Sequence, residues 1–151
     1  MITKAFVLSF FMGAVYARWW DQYMSMPTAS RLAHLVSSLI EGDKACDLRK
    51  KLVRWLHASV AITYQAVSQT YKLKFPSLIS LEGENLLTPK EREHLEPLGS
   101  LARSQVLLAW FMSAVREHDK MSGEYIGGRS MLPVFYDELM NFSGNCNRLR
   151  L

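Results

Sequence analysis

Cysteine is scarce in this sequence: Cys46 and Cys146 are the only two among 151 residues, and they lie a hundred positions apart. A disulfide scaffold needs more cysteines, and a paired-cysteine zinc site needs them at short spacings. The pattern therefore matches neither class. A reducing environment for most of the chain is the simpler interpretation, and it counts modestly against a secreted protein.

Catalytic motifs are also lacking. The sequence has no glycine-rich phosphate loop and no two-histidine zinc helix, and Gly128 to Leu132 lacks the second glycine and the preceding strand of a nucleophile elbow. The acidic residues and histidine between Glu91 and Glu96 could imitate a metal cluster, but such density on a capped helix is typical of a solvated face. We therefore predict that the chain is not an enzyme, and we assign no catalytic or metal-binding residue.

The excess of positive charge is small, since 18 Lys and Arg against 14 Asp and Glu give a net charge of +4. The densest basic cluster, residues 49–54, lies beside Asp43 and Asp47 and carries no aromatic or glycine platform for bases. We predict no nucleic-acid partner. With 49% hydrophobic and 21% charged residues, a chain of this length instead builds one folded domain with a real core.

No uncharged run near the N-terminus is long enough to span a membrane. The 13 residues between Lys4 and Arg18 are uncharged, and at about 1.5 Å per residue they cover roughly 20 Å of a hydrocarbon layer about 30 Å thick. Three interpretations stay open: the end of a longer membrane helix, a buried core helix, and a secretory signal that is cleaved after Ala17.

The residues around this run favour a membrane boundary. Arg18, Trp19, Trp20 and Tyr23 follow the apolar segment directly, and Trp and Tyr rings are enriched where hydrocarbon meets headgroups. We call these four residues the collar. Within the run, Ile2, Phe6 and Phe10 are spaced by four and share one helical face. Copies of this helix around an axis would stack three apolar rings, which is the outline of a pore constriction.

The remainder of the chain predicts helices, and no strand-like alternation occurs. A helix begins near Pro27, with Thr28 or Ser30 as its cap, and stops at Gly42. A longer helix runs from about Cys46 to Leu73. Its segment from Trp55 to Tyr71 is uncharged but rich in hydroxyl and amide side chains, so we expect it to be buried against protein and not against lipid.

Shorter elements follow. Phe75-Pro76-Ser77 ends the long helix, and Thr88-Pro89-Lys90-Glu91 is a helix-start signal with a threonine cap and a reaching glutamate. We expect the helix it opens, through Leu95, to be exposed. A core helix covers Val106 to Val115. After a corner at Gly123 and Gly127-Gly128, a last helix carries an apolar set formed by Leu132, Phe135, Tyr136, Leu139 and Phe142.

At the collar the chain resembles the bestrophins, a family of pentameric anion channels opened by calcium. The likeness runs through nearly the whole chain in order and rough spacing, with the Phe75-Pro76-Ser77 corner among its later points. The remaining points are Pro27, Arg31-Leu32, Leu35-Val36, Glu41-Gly42, Leu87-Thr88-Pro89, Trp110-Phe111, Gly127-Gly128, Glu138-Leu139 and Cys146. The residues Asp21-Gln22-Tyr23-Met24 and the segment from Gly128 to Phe142 look most like the nematode branch of the family.

The resemblance implies an all-α fragment of a membrane channel. Residues 1–23 would form the C-terminal part of a pore-lining transmembrane helix, and residues 24–151 would belong to an incomplete cytosolic helical bundle. Three residues would form the neck of the pore, Ile2, Phe6 and Phe10. The implied protein is a homopentamer in the lipid bilayer, most simply the plasma membrane, which conducts chloride or other anions passively and responds to calcium.

The chain departs from the family pattern at both ends. Thr3 and Lys4 replace the usual proline and apolar residue, so Ile2 is the least secure neck position. The later membrane helices and the acidic calcium clasp of the family have no counterpart after Cys146, so the resemblance implies a fragment, a partial gene model or a truncated isoform. The alternative is a soluble or secreted helical interaction module whose first 17 residues are a core helix or a signal peptide.

Overall fold

The computed structural model describes residues 2–40, 42, 45–122 and 132–149, and every regular element in these ranges is an α-helix, as predicted. The predicted corner at Gly123 and Gly127-Gly128 lies outside the described residues. Eight helices succeed one another: α1 Ile2–Met24, α2 Ser30–Leu39, α3 Cys46–Val67, α4 Gln69–Lys74, α5 Leu78–Gly83, α6 Pro89–Leu95, α7 Ser100–Ser122 and α8 Leu132–Leu149.

The core forms where α3 packs along α7, with α2 and α8 alongside. Leu52 and Leu56 of α3 and Leu107 and Phe111 of α7 are completely buried. The Phe111 ring lies 6.2 Å from that of Phe135 in α8, centroid to centroid, which extends the core to the last helix. Burial of such apolar stripes from several helices is the main source of stability in a small helical bundle.

The predicted burial of the uncharged segment 55–71 in protein is confirmed only for its first part: residues 55–63 are largely buried, whereas Val67, Gln69 and Thr70 are exposed. Ser59 and Thr63 are completely buried, and the Thr63 hydroxyl donates a hydrogen bond to the Ser59 carbonyl oxygen at 2.9 Å. The predicted end of this helix at Leu73 is wrong, because the backbone at Ser68 is extended and separates α3 from α4. The Ser68 hydroxyl accepts from the Tyr71 amide and so caps the new helix.

Two helix N-caps were predicted; the one at α6 is confirmed and the one at α2 is wrong. At α6 the Thr88 hydroxyl accepts from the Glu91 amide at 3.4 Å, and the Glu91 carboxylate accepts from the Thr88 amide at 2.8 Å. This reciprocal pair is the predicted capping box. At α2 the N-cap is Ala29, with no side-chain hydrogen bond, so neither Thr28 nor Ser30 caps the helix.

The first helix is different from the others. Every side chain from Lys4 to Met24 is exposed, so α1 is not a core helix of the described bundle. Among the residues described, no helix combines the length and the apolar character that a crossing of the bilayer requires. The assignment of α1 to a longer pore-lining membrane helix therefore stays a prediction.

Candidate functional site

The predicted neck residues occupy one face of α1. Phe6 is 72% exposed and Phe10 is 76% exposed, and their spacing of four residues places one ring about 6 Å above the other along the helix axis. Ile2 belongs to the same helix, but its side chain lies outside the described part of the structure. The described face therefore presents two phenylalanine rings that are largely exposed.

The collar forms an aromatic cluster at the end of α1. The centroids of the Trp19 and Tyr23 rings lie 5.6 Å apart with nearly parallel planes, and those of Trp19 and Trp20 lie 6.2 Å apart. Tyr16, which is not one of the four predicted collar residues, joins the cluster with its ring centroid 6.2 Å from that of Trp20. Its spacing from Trp19, Trp20 and Tyr23 is three, four and seven, which is the helical signal that would have identified it. Arg18 is exposed beside the cluster.

Two members of the basic cluster at the start of α3, Arg49 and Lys51, already have partners within the chain. The Arg49 guanidinium donates to the carbonyl oxygens of Ile40 at 2.7 Å and Gly42 at 3.2 Å, which closes the end of α2. The Lys51 ammonium lies 4.7 Å from the centre of the Trp55 ring. Lys50 is exposed. The cluster is thus mainly structural and not a continuous anion-binding patch.

The fourth basic residue, Arg54, meets Glu91 in a bidentate ion pair. Its two terminal nitrogens lie 2.6 and 2.8 Å from the two carboxylate oxygens of Glu91, and the Trp55 indole donates to the same carboxylate at 2.7 Å. Burial by itself would raise the pKa of Glu91. The hydrogen bonds from Arg54, from the Thr88 backbone and from Trp55 outweigh it and lower this pKa to about 2.

The prediction that α6 is exposed holds for Pro89, Lys90, Glu93 and His94, but not for the side of the helix that faces α3. Leu95 is completely buried, and the Glu91 side chain is only 13% exposed because it faces α3.

Among the described residues, no group of three His, Cys, Asp or Glu side chains is arranged to hold a metal ion. A second ion pair joins α2 to α8, with Arg31 Nε 3.2 Å from a Glu138 oxygen.

Comparison with known proteins agrees with the likeness seen at the collar. A family model described as bestrophin, RFP-TM, chloride channel matches residues 1–151. Bestrophin-1 of Homo sapiens is 32% identical over 143 residues, which cover 93% of this chain and 24% of the relative. Bestrophin-2a of Homo sapiens is 30% identical over 152 residues, covering 99% of this chain and 30% of the relative.

Nematode proteins are among the relatives too. Bestrophin homolog 13 of Caenorhabditis elegans is 26% identical over 154 residues, covering 99% of this chain and 37% of the relative. The chain thus spans between about a quarter and two-fifths of the length of these relatives. The family is one of channels and not of enzymes, which confirms the prediction of no catalytic activity. On a family match over its whole length, this chain belongs to the bestrophin family.

Proposed function

We propose that the full-length protein conducts chloride or other anions passively through a homopentameric pore, and that α1 lines its neck. One observation carries this proposal: Phe6 and Phe10 are exposed on one face of an apolar helix that the described bundle does not cover. Membership in a family described as chloride channels supplies the ion class.

The physics of the neck follows from the stacked rings. Five copies of α1 around an axis would set Phe6 and Phe10 in two apolar rings about 6 Å apart, with Ile2 as a third ring above them. A narrow apolar passage obstructs ions because water in it is unfavourable, and conduction begins when the helices move apart. Aromatic side chains therefore act here as a gate and not as anion ligands.

The collar supports the orientation of α1 in the membrane. Arg18 and the ring cluster of Trp19, Trp20 and Tyr23 would lie at the interface between hydrocarbon and headgroups. Helices α2 to α8 would then form the cytosolic part. The expected location of the full-length protein is the plasma membrane. Calcium is proposed as the activating ion of the full-length protein, and no residue of this chain is assigned to it.

Planar-bilayer recording of the full-length protein tests the neck. We expect the double substitution Phe6→Ala and Phe10→Ala to raise the anion conductance measured without activating calcium, because the smaller side chains let water fill the passage. Phe11→Ala is the matched control, since Phe11 is 62% exposed on the same helix but points about 100° away from Phe10. Unchanged conductance in the double variant would remove the neck assignment.

The number of subunits is measured separately. Mass photometry of the detergent-solubilised full-length protein is expected to give the mass of five copies. A monomer or dimer under conditions that preserve channel activity would contradict the proposed assembly.

A further inference from the structure

A groove of about 490 Å³ lies between α2 and α8, a volume within the range of small-molecule sites. Spacings of three and four residues place Arg31, His34 and Leu35 on one face of α2, and Val134 and Glu138 share a face of α8. The groove thus combines a guanidinium, a carboxylate and an apolar floor. Six residues line it, four from α2 and two from α8: Ser30, Arg31, His34, Leu35, Val134 and Glu138.

The outer edge of the Arg31 guanidinium has no partner among the described residues. Its Nε lies 3.2 Å from a Glu138 carboxylate oxygen, yet the Arg31 side chain is 77% exposed. The two terminal nitrogens form no hydrogen bond with any residue that the structure describes. These nitrogens form a planar fork that matches the two oxygens of a carboxylate. The groove therefore has free donors for one further anionic group.

Glu138 determines which kind of anion fits this fork. Its side chain is only 17% exposed, and it holds the Nε edge of Arg31, so the guanidinium is oriented before a ligand arrives. Its negative charge offsets that of Arg31 and repels a second charge on the ligand. A monoanion therefore fits the groove better than a dianion such as phosphate or a dicarboxylate.

The floor of the groove favours hydrocarbon. Leu35 is partly buried and packs against the core, and Val134 is 42% exposed. Neither side chain offers a hydrogen-bonding group, and a ligand that covers both gains from the burial of apolar surface. The ligand that complements the groove is therefore a carboxylate with a hydrocarbon tail.

We propose that this groove binds a monocarboxylate with a short hydrocarbon tail, of about the size of hexanoate. The carboxylate accepts hydrogen bonds from both terminal nitrogens of Arg31, and the tail lies on Leu35 and Val134. Because such a ligand bridges α2 and α8, it stabilises the contact between the two helices. The residues involved belong to these helices alone, so the inference does not depend on the placement of α1 in a membrane.

Saturation-transfer NMR of the purified chain in mild detergent tests the carboxylate requirement. Hexanoate is compared with hexanamide, which has the same tail and no charge. We expect hexanoate to bind, and hexanamide to bind about tenfold more weakly or worse. Equal binding of the two would overturn the site, because it would show only that the tail enters detergent or an apolar surface. No binding of hexanoate at about 10 mM would overturn it as well.

Substitution of Arg31 tests the location. Arg31→Gln is expected to weaken the binding of hexanoate about tenfold, because it removes the charged fork. Arg116→Gln is the matched control, since Arg116 is exposed on α7 and does not line the groove, and it should leave binding unchanged. Circular dichroism checks that both variants keep the helical content of the wild type. Unchanged binding in Arg31→Gln would overturn the site.

A second pair of variants leaves the Arg31 and Glu138 ion pair intact. Val134→Asp places a carboxylate on the floor of the groove and should weaken the binding of hexanoate about tenfold through charge repulsion. Met140→Asp is the control, since Met140 is 54% exposed on the same helix but points about 120° away from Val134. A loss in Val134→Asp alone supports the groove, and a loss in both variants or in neither overturns it.

Discussion

The first helix and the bundle that follows it use apolar residues in opposite ways. Helix α1 is more apolar than α3, yet its side chains from Lys4 to Met24 are all exposed. Helix α3 carries serine and threonine among its fully buried residues. The difference teaches that an apolar helix needs to be buried, but that its hydrophobicity does not show which surface buries it. For α1 we propose that neighbouring subunits and lipid provide it.

The bundle can bury hydroxyl groups because an α-helix offers them local acceptors. Thr63 donates to the carbonyl oxygen one turn earlier, which satisfies the group without any contact outside α3. The Ser59 hydroxyl is the exception, since it is buried and has no hydrogen-bond partner among the residues that the structure describes. The hydrocarbon of a membrane offers no hydrogen-bond partner to the charged residues of α1, and these lie only near the two ends of the helix.

Truncation of one phenylalanine in each region gives the largest contrast. We expect Phe111→Ala to lower the free energy of unfolding by about 3–5 kcal/mol, because it leaves a cavity in the core. Phe10→Ala should change it by less than about 0.5 kcal/mol. Denaturant unfolding of the chain in mild detergent, followed by circular dichroism, measures both. Equal losses would show that Phe10 is packed against the bundle and that α1 and the bundle do not differ in burial.

Removal of the charge at Glu91 should have the next largest effect. Glu91→Gln is expected to lower the free energy of unfolding by about 2 kcal/mol, because Arg54 loses its charged partner in a largely buried site. Glu84→Gln is the matched control, since Glu84 is exposed and forms none of the described ion pairs, and it should have little effect. A loss as large in the control would point to overall charge and not to the ion pair.

The same carboxylate predicts an acid sensitivity of the bundle. The pKa of Glu91 is about 2 in the folded chain, below its ordinary value of 4.5, so its stabilising effect is complete above pH 4.5 and is lost as the pH falls towards 2. The difference in unfolding free energy between the wild type and Glu91→Gln should therefore shrink between pH 5 and pH 2.5. A difference that stays constant over this range would contradict the assignment.

The smallest expected effect is at Ser59. Ser59→Ala should raise the free energy of unfolding by about 1 kcal/mol, because it removes a buried hydroxyl that has no partner in the described ranges. Thr63→Val is the matched comparison and should lower stability, since the Thr63 hydroxyl is bonded. Thermal unfolding of both variants would show the two signs. A destabilised Ser59→Ala variant would mean that the hydroxyl has a partner in solution.

Much of the local structure could be predicted from the sequence. The Thr88 capping box, the corner at Pro76 and the shared helical face of Phe6 and Phe10 depend on residues a few positions apart, and such patterns are visible in any helical sequence. The break at Ser68 was missed because the segment is free of glycine and proline. Ser68 has an extended backbone and caps α4 through its side chain. A serine within a continuous helix would look the same in the sequence.

The sequence by itself determined the helical class, the family and which residues share a face of α1, because these follow from periodicity and local motifs. Only the tertiary structure decided that Arg54 and Glu91, 37 positions apart, meet in one ion pair and that α6 turns its glutamate inward. It also decided that α1 finds no burial against the described bundle. The physical reason is that such contacts depend on how helices pack together, and packing joins residues whose separation along the chain carries no signal.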